Sequence, residues 1–533
     1  MPSGKVCINV QRAGNKGAGV KRFLLSLIAA VSLFANFTIA QTAAKPQTST
    51  SASVSKPAQT RADYAVPFVS KTLANGLEVI VLPDHSVPLV TVELAVRNGS
   101  FTEPPELHGL SHLYEHMFFK PNLAVRLYGC ERSGSRLTLA TNPQCSAAYA
   151  VRAKIGDTSY LKDADQVSFY NGSTREEIVN YYYNVTSQYL ATAIKYINDA
   201  VRFPTFDEDE FENEKKIVIG EIDRHEANPY QYLDLTMKDK LFFKYPTRKN
   251  PTGTRESVST ATTDKMRTIQ SRYYVPNNAA LIVTGDADPA EVFKLAEQTM
   301  GSWERRAVDP IKEFPLVEHP PLPKSEGVVI EKSVGGEGGQ DQGRNVIVEI
   351  GWHGPSVGKD DAATYAADVF SYILTQPDSK FQRDLVDSGL AASAGIGYYT
   401  QRNVGPIQVL LITTPEKAKA ALKAVYSEID QFAKPDYFTD EELESAKTIL
   451  ESNDLFEREK PSEYSHTLGF WWSSTGVEYF RGYHKKLRAV SRDDINRYVK
   501  TYIQGKNHVG LALLAPDAQN QAGLTEQDLI GGK

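Results

Sequence analysis

Alternating or continuously apolar positions run along Leu77–Leu82, Leu89–Val96, Val167–Tyr170, Val179–Val185 and Ala279–Thr284, and again along Val328–Glu331, Val346–Gly351, Ile407–Ile412 and Val509–Leu514. These runs predict strands. Between them the apolar spacing changes to that of a helix. Leu110, Leu113, Tyr114, Met117 and Phe118 form one such face, and Leu190–Val201, Asp264–Tyr274, Ala362–Leu374, Ala420–Phe432 and Asp493–Ile503 form others. Strands and helices in separate blocks predict an α+β fold, with helices packed on mostly antiparallel sheets. The glycine-rich stretch Gly335–Gly343 lacks the lysine and following helix of a phosphate loop, so it reads as a hairpin loop.

The pattern occurs twice. Phe206-Asp-Glu-Asp-Glu-Phe opens a helix after one amphipathic segment, and Phe438-Thr-Asp-Glu-Glu-Leu opens another after the second. Asp264–Tyr274 followed by the strand Ala279–Thr284 likewise matches Asp493–Ile503 followed by Val509–Leu514. Both pairs keep an offset of about 230 residues, which indicates a duplicated domain rather than a solenoid. The expected organisation is a first α/β-sandwich domain over 62–307, a Pro-rich linker over 308–325, a second domain over 326–520 and a tail over 521–533.

The N-terminus reads as an export signal over 1–40. Lys16, Lys21 and Arg22 precede the apolar run Phe23–Phe34, and small residues flank a cleavage point after Ala40. A Ser/Thr/Ala/Pro-rich tether over 41–61 follows. The apolar run is too short for a membrane span, so no membrane anchor is expected after cleavage. The expected destination is the periplasm, with an extracellular one as the alternative. Cys130 and Cys145 are the cysteines left after cleavage; they read as one disulfide, with a pair of free thiols or a metal clip as the alternatives. With 41% hydrophobic and 23% charged residues the 533-residue chain can fill two to four cores. A net charge of −6 supplies no basic field, and nucleic acid is excluded as a partner.

The candidate chemistry lies at His112-Leu-Tyr-Glu-His116, an H-x-x-E-H string. On a helix, residues four apart share a face, so two neutral imidazoles can hold one Zn²⁺ while Glu115 stands beside them as a base. His108 is a rival ligand one turn earlier, placed at or before the helix start by Gly109. The duplication narrows the search for a third ligand. Glu214 falls opposite Ala446 and Glu221 opposite Asn453, while Ala362–Leu374, the counterpart of the histidine helix, has no histidine. The first copy alone keeps the candidate residues.

His112-Leu-Tyr-Glu-His116 followed by Met117-Phe-Phe-Lys120, the Glu214 and Glu221 pair and the duplicated domain together resemble the pitrilysin/insulinase, or M16, zinc metallopeptidases. The resemblance runs from about Tyr64 to Pro516 and is nearest to the two-domain, processing-peptidase-like bacterial members. It implies zinc held by His112, His116 and Glu221, with Glu115 as general base and Glu214 as a supporting carboxylate. Asn171 falls where the family has an Asn on a substrate-contacting edge strand, and His225 competes with Glu221 if the helix register shifts. The implied activity is zinc-dependent endopeptidase action on peptides or small unfolded proteins.

Two departures accompany the resemblance. The spacing from His116 to Glu221 is long, which points to an insertion near 121–155 pinned by the two cysteines. The family also carries an Arg and a Tyr in the second domain that hold the substrate carbonyl. Aligning Leu385–Ser393 with that motif places Val386 and Ala392 there, and Arg383, Tyr398 and Tyr399 have the wrong spacing. A second M16-like chain, identical or different, is therefore the expected partner, closing a clamshell and supplying the missing pair. The alternative is a noncatalytic peptide-binding or scaffold subunit.

Overall fold

β-Branched and aromatic residues in period-two runs favour pleated, half-buried backbone, and here they assemble two sheets. The computed structural model describes residues 66–133, 143–167, 169–332 and 345–532. The proposed leader, the tether and the loop Gly335–Gly343 lie outside the described residues. The first sheet contains β1 (Val69–Thr72), β2 (Glu78–Pro83), β3 (Leu89–Val96), β4 (Tyr170–Thr174), β5 (Val179–Thr186) and β6 (Ala279–Gly285), in the order β1-β2-β6-β3-β5-β4. The second contains β7 (Glu326–Glu331), β8 (Val346–His353), β9 (Ser393–Tyr398), β10 (Pro406–Thr413) and β11 (Val509–Leu514), in the order β7-β11-β8-β10-β9. Pairing is antiparallel except for β2 with β6 and β7 with β11. Apart from β1, the two strand orders are the same, so the repeat seen in the sequence recurs in the topology.

The edge strands are where sequence and structure differ. The expected strand Val167–Tyr170 is instead a 3₁₀ segment, Ser159–Val167, followed by β4 three residues later. β1 and β9 have no counterpart among the expected strands. An edge strand pairs on one side only, and β4, reading Tyr-Asn-Gly-Ser-Thr, is too polar and too exposed to carry an alternating signal.

Helices cover one face of each sheet and exchange across the other. Leu190–Arg202 packs on β3 and β5, and Asp361–Thr375 packs beside β9. Helix Pro229–Leu241, from the first half, lies on β11 and β8 of the second sheet, with Leu233, Met237 and Leu241 buried there. Helix Pro461–Ser474, from the second half, lies on β6 and β3 of the first, burying Tyr464, Leu468 and Trp472. Both begin with proline at the first turn, where the missing N–H costs nothing. Each fully buried large apolar side chain contributes roughly 1.5–3 kcal/mol, so this reciprocal exchange ties the two lobes together.

Cys130 and Cys145 form a disulfide joining helix Leu123–Arg132 to helix Pro143–Ala150. That segment has its own small core of Ala124, Leu127, Ala148, Ile155 and Phe203. Among the described residues no helix is long and apolar enough to cross a membrane.

Candidate metal centre

Helix Leu110–Phe118 carries the H-x-x-E-H string, and its apolar face decides where the histidines point. Leu113, Tyr114, Met117 and Phe118 are buried against the first sheet, which leaves His112, Glu115 and His116 at the rim. The helix starts at Gly109, whose φ of 81° suits glycine and whose Cα meets Gly253 too closely for a side chain. No side chain occupies the usual capping position. Glu103 serves instead, accepting hydrogen bonds from Gly109 N at 2.7 Å and Ser111 N at 2.6 Å. Burial pushes its carboxyl up to about 7 despite those bonds.

The partner helix is Glu208–Ala227. Asp207 caps it, and Glu208, Asp209 and Glu210 crowd its positive end. Nearly two turns along, Glu214 faces the histidines, and so does Glu221 two turns farther on. His116 Nδ1 donates to Glu214 Oε2 at 2.9 Å, and Lys120 Nζ pairs with the same carboxylate. Glu221 Oε2 stands 3.6 Å from His112 Nε2 and 3.5 Å from His116 Nε2. The two imidazoles are nearly perpendicular, with centroids 4.9 Å apart.

These contacts suit a shared cation. One donor atom from each of His112, His116 and Glu221 lies within 4.8 Å of the other two. Ligands held about 2.0–2.2 Å from a tetrahedral zinc sit about 3.3–3.6 Å from one another, which is the spacing seen between Glu221 and each imidazole. Burial, then the neighbouring His116, depresses His112 to about 4, so it is neutral at physiological pH. Its Nδ1 is buried without a hydrogen-bond partner among the described residues. Glu221 and the two imidazoles thus converge on one point, at a spacing that a shared cation would bridge. Burial disfavours charge on His116, yet its hydrogen bonds to Glu214 and Glu221 and the surrounding carboxylates push it up to about 9.

Glu115 is placed from the other side, by β4. Thr174 Oγ1 donates to Glu115 Oε2 at 2.8 Å. A Cβ at Gly172 would come within 2.9 Å of Glu115 Cγ and 3.0 Å of Asn180 O, so the strand presses directly on the carboxylate. Burial, opposed by the Thr174 bond, pushes Glu115 up to about 6. Asn171 lies exposed on the same strand, its Oδ1 accepting from Gly172 N at 2.9 Å.

His108 and His225 do not join the cluster. His108 is buried with Nε2 3.0 Å from Asn250 O, and His225 remains outside the group of converging donors. Of the residues near the expected Arg/Tyr positions, Val386 packs against the second lobe's core and Tyr398 is buried with its hydroxyl on Pro355 O at 3.0 Å. Arg383 bonds the Asp378 carbonyl. The position equivalent to Glu221, Asn453, donates to Tyr372 Oη at 3.1 Å. Sequence reasoning passed over Glu103, Gly172 and Thr174. Nothing local marks them, because each acts through a tertiary contact.

Comparison with known proteins adds the family context. The sequence model described as Insulinase (Peptidase family M16) matches residues 78–125 and 159–251, and that described as Peptidase M16 inactive domain matches 260–450. The unmatched gap contains the disulfide. The chain is 21% identical over 449 residues to the zinc protease PqqE of Helicobacter pylori, covering 83% of this chain and 91% of that one. It is 26% identical over 235 residues to the uncharacterized zinc protease YmxG of Bacillus subtilis, covering 44% of this chain and half of YmxG. Its fold resembles the crystal structure of the periplasmic protease PqqL from Escherichia coli, with a TM-score of 0.64 at 14% identity over 87% of this chain and 50% of PqqL.

Proposed function

The chain belongs to the M16 peptidase family, and from that membership and the geometry of its site we propose that it is a zinc-dependent endopeptidase acting on peptides or small unfolded proteins. The observation that carries this reading is the convergence of His112, His116 and Glu221 beside a carboxylate, Glu115, that Thr174 holds in place. The donor set of two imidazoles and one carboxylate fits zinc and leaves a coordination position open. When bound, zinc would polarise a scissile carbonyl and lower the pKa of a water.

The chain's own residues do the rest. Glu214 fixes the His116 ring through Nδ1, leaving Nε2 for the metal. Glu115 takes the proton of the attacking water and returns it to the leaving amine. β4 is the last strand of its sheet, and a peptide that adds at its outer edge, taking the Gly172 N–H from the Asn171 side chain, is held by its main chain beside Glu115. Such binding gives loose sequence preference.

A second M16-like chain completes the site in this reading. Val386 and Ala392 stand where the family's Arg and Tyr are expected, and the chain spans half the length of PqqL. A periplasmic location is proposed on the leader-like N-terminus and the Cys130–Cys145 bond.

Glu115→Gln tests the reading. The variant should keep one zinc per chain and lose peptide hydrolysis by about three orders of magnitude or more. Unchanged hydrolysis would remove Glu115 from the mechanism.

A further inference from the structure

β4 has two faces, and the mechanism uses one. Gly172 and Thr174 touch Glu115, so that parity faces the metal centre. Ser173 has the other parity: its Oγ donates to Asn180 Oδ1 at 2.5 Å, on the side covered by helix Pro461–Ser474. Arg175, one residue beyond the strand, shares the parity of Ser173 and is open to solvent.

Tyr399 meets it there. The tyrosine follows β9 as Arg175 follows β4, so the tips of two equivalent hairpins come together, and the guanidinium lies beside the phenol. The meeting is rigidly built. Glu177 accepts from Arg402 N at 2.8 and 3.0 Å and from Asn403 N at 3.3 Å. Lys249 Nζ donates to the Asn403 and Val404 carbonyls, each at 3.0 Å. Tyr399 also packs on Phe470, with ring centroids 5.7 Å apart.

Each acid near Arg175 is already committed elsewhere. Glu93 is held by His466 Nδ1, Asn180 Nδ2 and Ser465 Oγ, all at 2.7 Å. Glu177 holds the loop, and Glu176 is 3.6 Å from Lys238 Nζ. Among the described residues no carboxylate lies within ion-pair distance of the Arg175 guanidinium. Arg175 is a solvent-exposed cation at the end of the strand proposed to present substrate, with a fork suited to a carboxylate.

We propose that Arg175, with Tyr399 beside it, forms a subsite for the carboxylate side chain of a peptide lying along β4. This rests on the reading of β4 as the peptide-binding edge. Side chains of an added strand alternate between faces, so the acidic residue is read at one position and ignored at its immediate neighbours. Tyr399, beside the guanidinium, would supply a hydroxyl to the same carboxylate.

The test is peptide binding to the full chain carrying Glu115→Gln, measured by fluorescence anisotropy. The probes are labelled ten-residue peptides with acetylated and amidated ends, in which one Glu is walked along a neutral background, with Gln and Lys versions of each. One further set has a free C-terminal acid. Glu at one position should bind about fivefold tighter than Gln there, the size of a part-exposed charge pair. Arg175→Gln should abolish that preference, Arg175→Glu should reverse it in favour of Lys, and Tyr399→Phe should reduce it. Equal binding of Glu and Gln peptides at every position, no binding of any peptide, or a preference that survives Arg175→Glu would overturn the proposal, as would a preference confined to the free C-terminal acid. Cleavage of the same series by the chain with Glu115 intact separates the two readings. Cleavage without acidic preference keeps the hydrolase and removes the subsite, and preference without cleavage does the reverse.

Discussion

Glu214 accepts a hydrogen bond from His116 Nδ1 at 2.9 Å, on the opposite side of the ring from the nitrogen that faces Glu221. The two glutamates therefore have different tasks although they lie on the same helix face seven residues apart. In the proposed site one orients the ring and the other binds the metal. Glu214→Gln keeps an acceptor for the ring proton but loses the charge that pairs with Lys120, and Glu214→Ala loses both. Zinc affinity should fall about 10- to 100-fold for Glu214→Ala and less for Glu214→Gln, read by competition with a metal-sensitive dye.

Gly172 brings the β4 backbone close against Glu115, the proposed base. Because a Cβ there would meet both Glu115 and the Asn180 carbonyl, Gly172→Val should displace Glu115 without touching a metal donor. The expected result is a loss of hydrolysis of about 10²-fold with zinc stoichiometry unchanged. Steady-state kinetics beside metal analysis checks it.

Much of this arrangement is legible in the sequence. His112 and His116 announce themselves by spacing, and Glu214 and Glu221 stand out because the duplicate has Ala446 and Asn453 in their places. The core strands β3 and β5 emerge from their patterned apolar runs, and β6 and β11 from continuous apolar runs, because both neighbours and one or both faces are buried. β4 and β9 do not, since an edge strand satisfies fewer constraints and its residues answer to ligand and neighbour rather than to a core. Thr174, Glu103 and the meeting of Arg175 with Tyr399 depend on contacts between distant segments, which no local period encodes. The exchange of helices Pro229–Leu241 and Pro461–Ser474 between lobes is likewise encoded by no local period.

The contact between His466 and Glu93 makes the inter-lobe packing depend on pH. Burial lowers the pKa of His466, but the Glu93 carboxylate 2.7 Å away outweighs it and the net shift is upward. The folded state thus holds the proton more tightly than the unfolded state. The stabilisation is complete below the ordinary histidine pKa of about 6.5 and is lost as pH rises through the higher folded value. His466→Gln should therefore lower the melting temperature most below the ordinary histidine pKa of about 6.5, with the difference from wild type shrinking as pH rises above it. A gap that widens with pH would contradict the assignment. Thermal scans across that range decide it.

The Cys130–Cys145 bond closes a loop with a sequence separation of 15. Removing it by the double change to serine should destabilise the inserted segment by about 3 kcal/mol while leaving the distant metal donors in place. Hydrogen exchange should show faster opening over Leu123–Ile155, and zinc stoichiometry should not change.

The most direct test of the central claim is X-ray absorption at the zinc edge on the purified chain. Two imidazole nitrogens and a carboxylate oxygen should surround one ion per chain at about 2.0–2.2 Å, with the signal lost in His112→Ala, His116→Ala and Glu221→Ala. A chain that binds no zinc, or one whose zinc keeps the same shell after any of those three changes, would contradict the account.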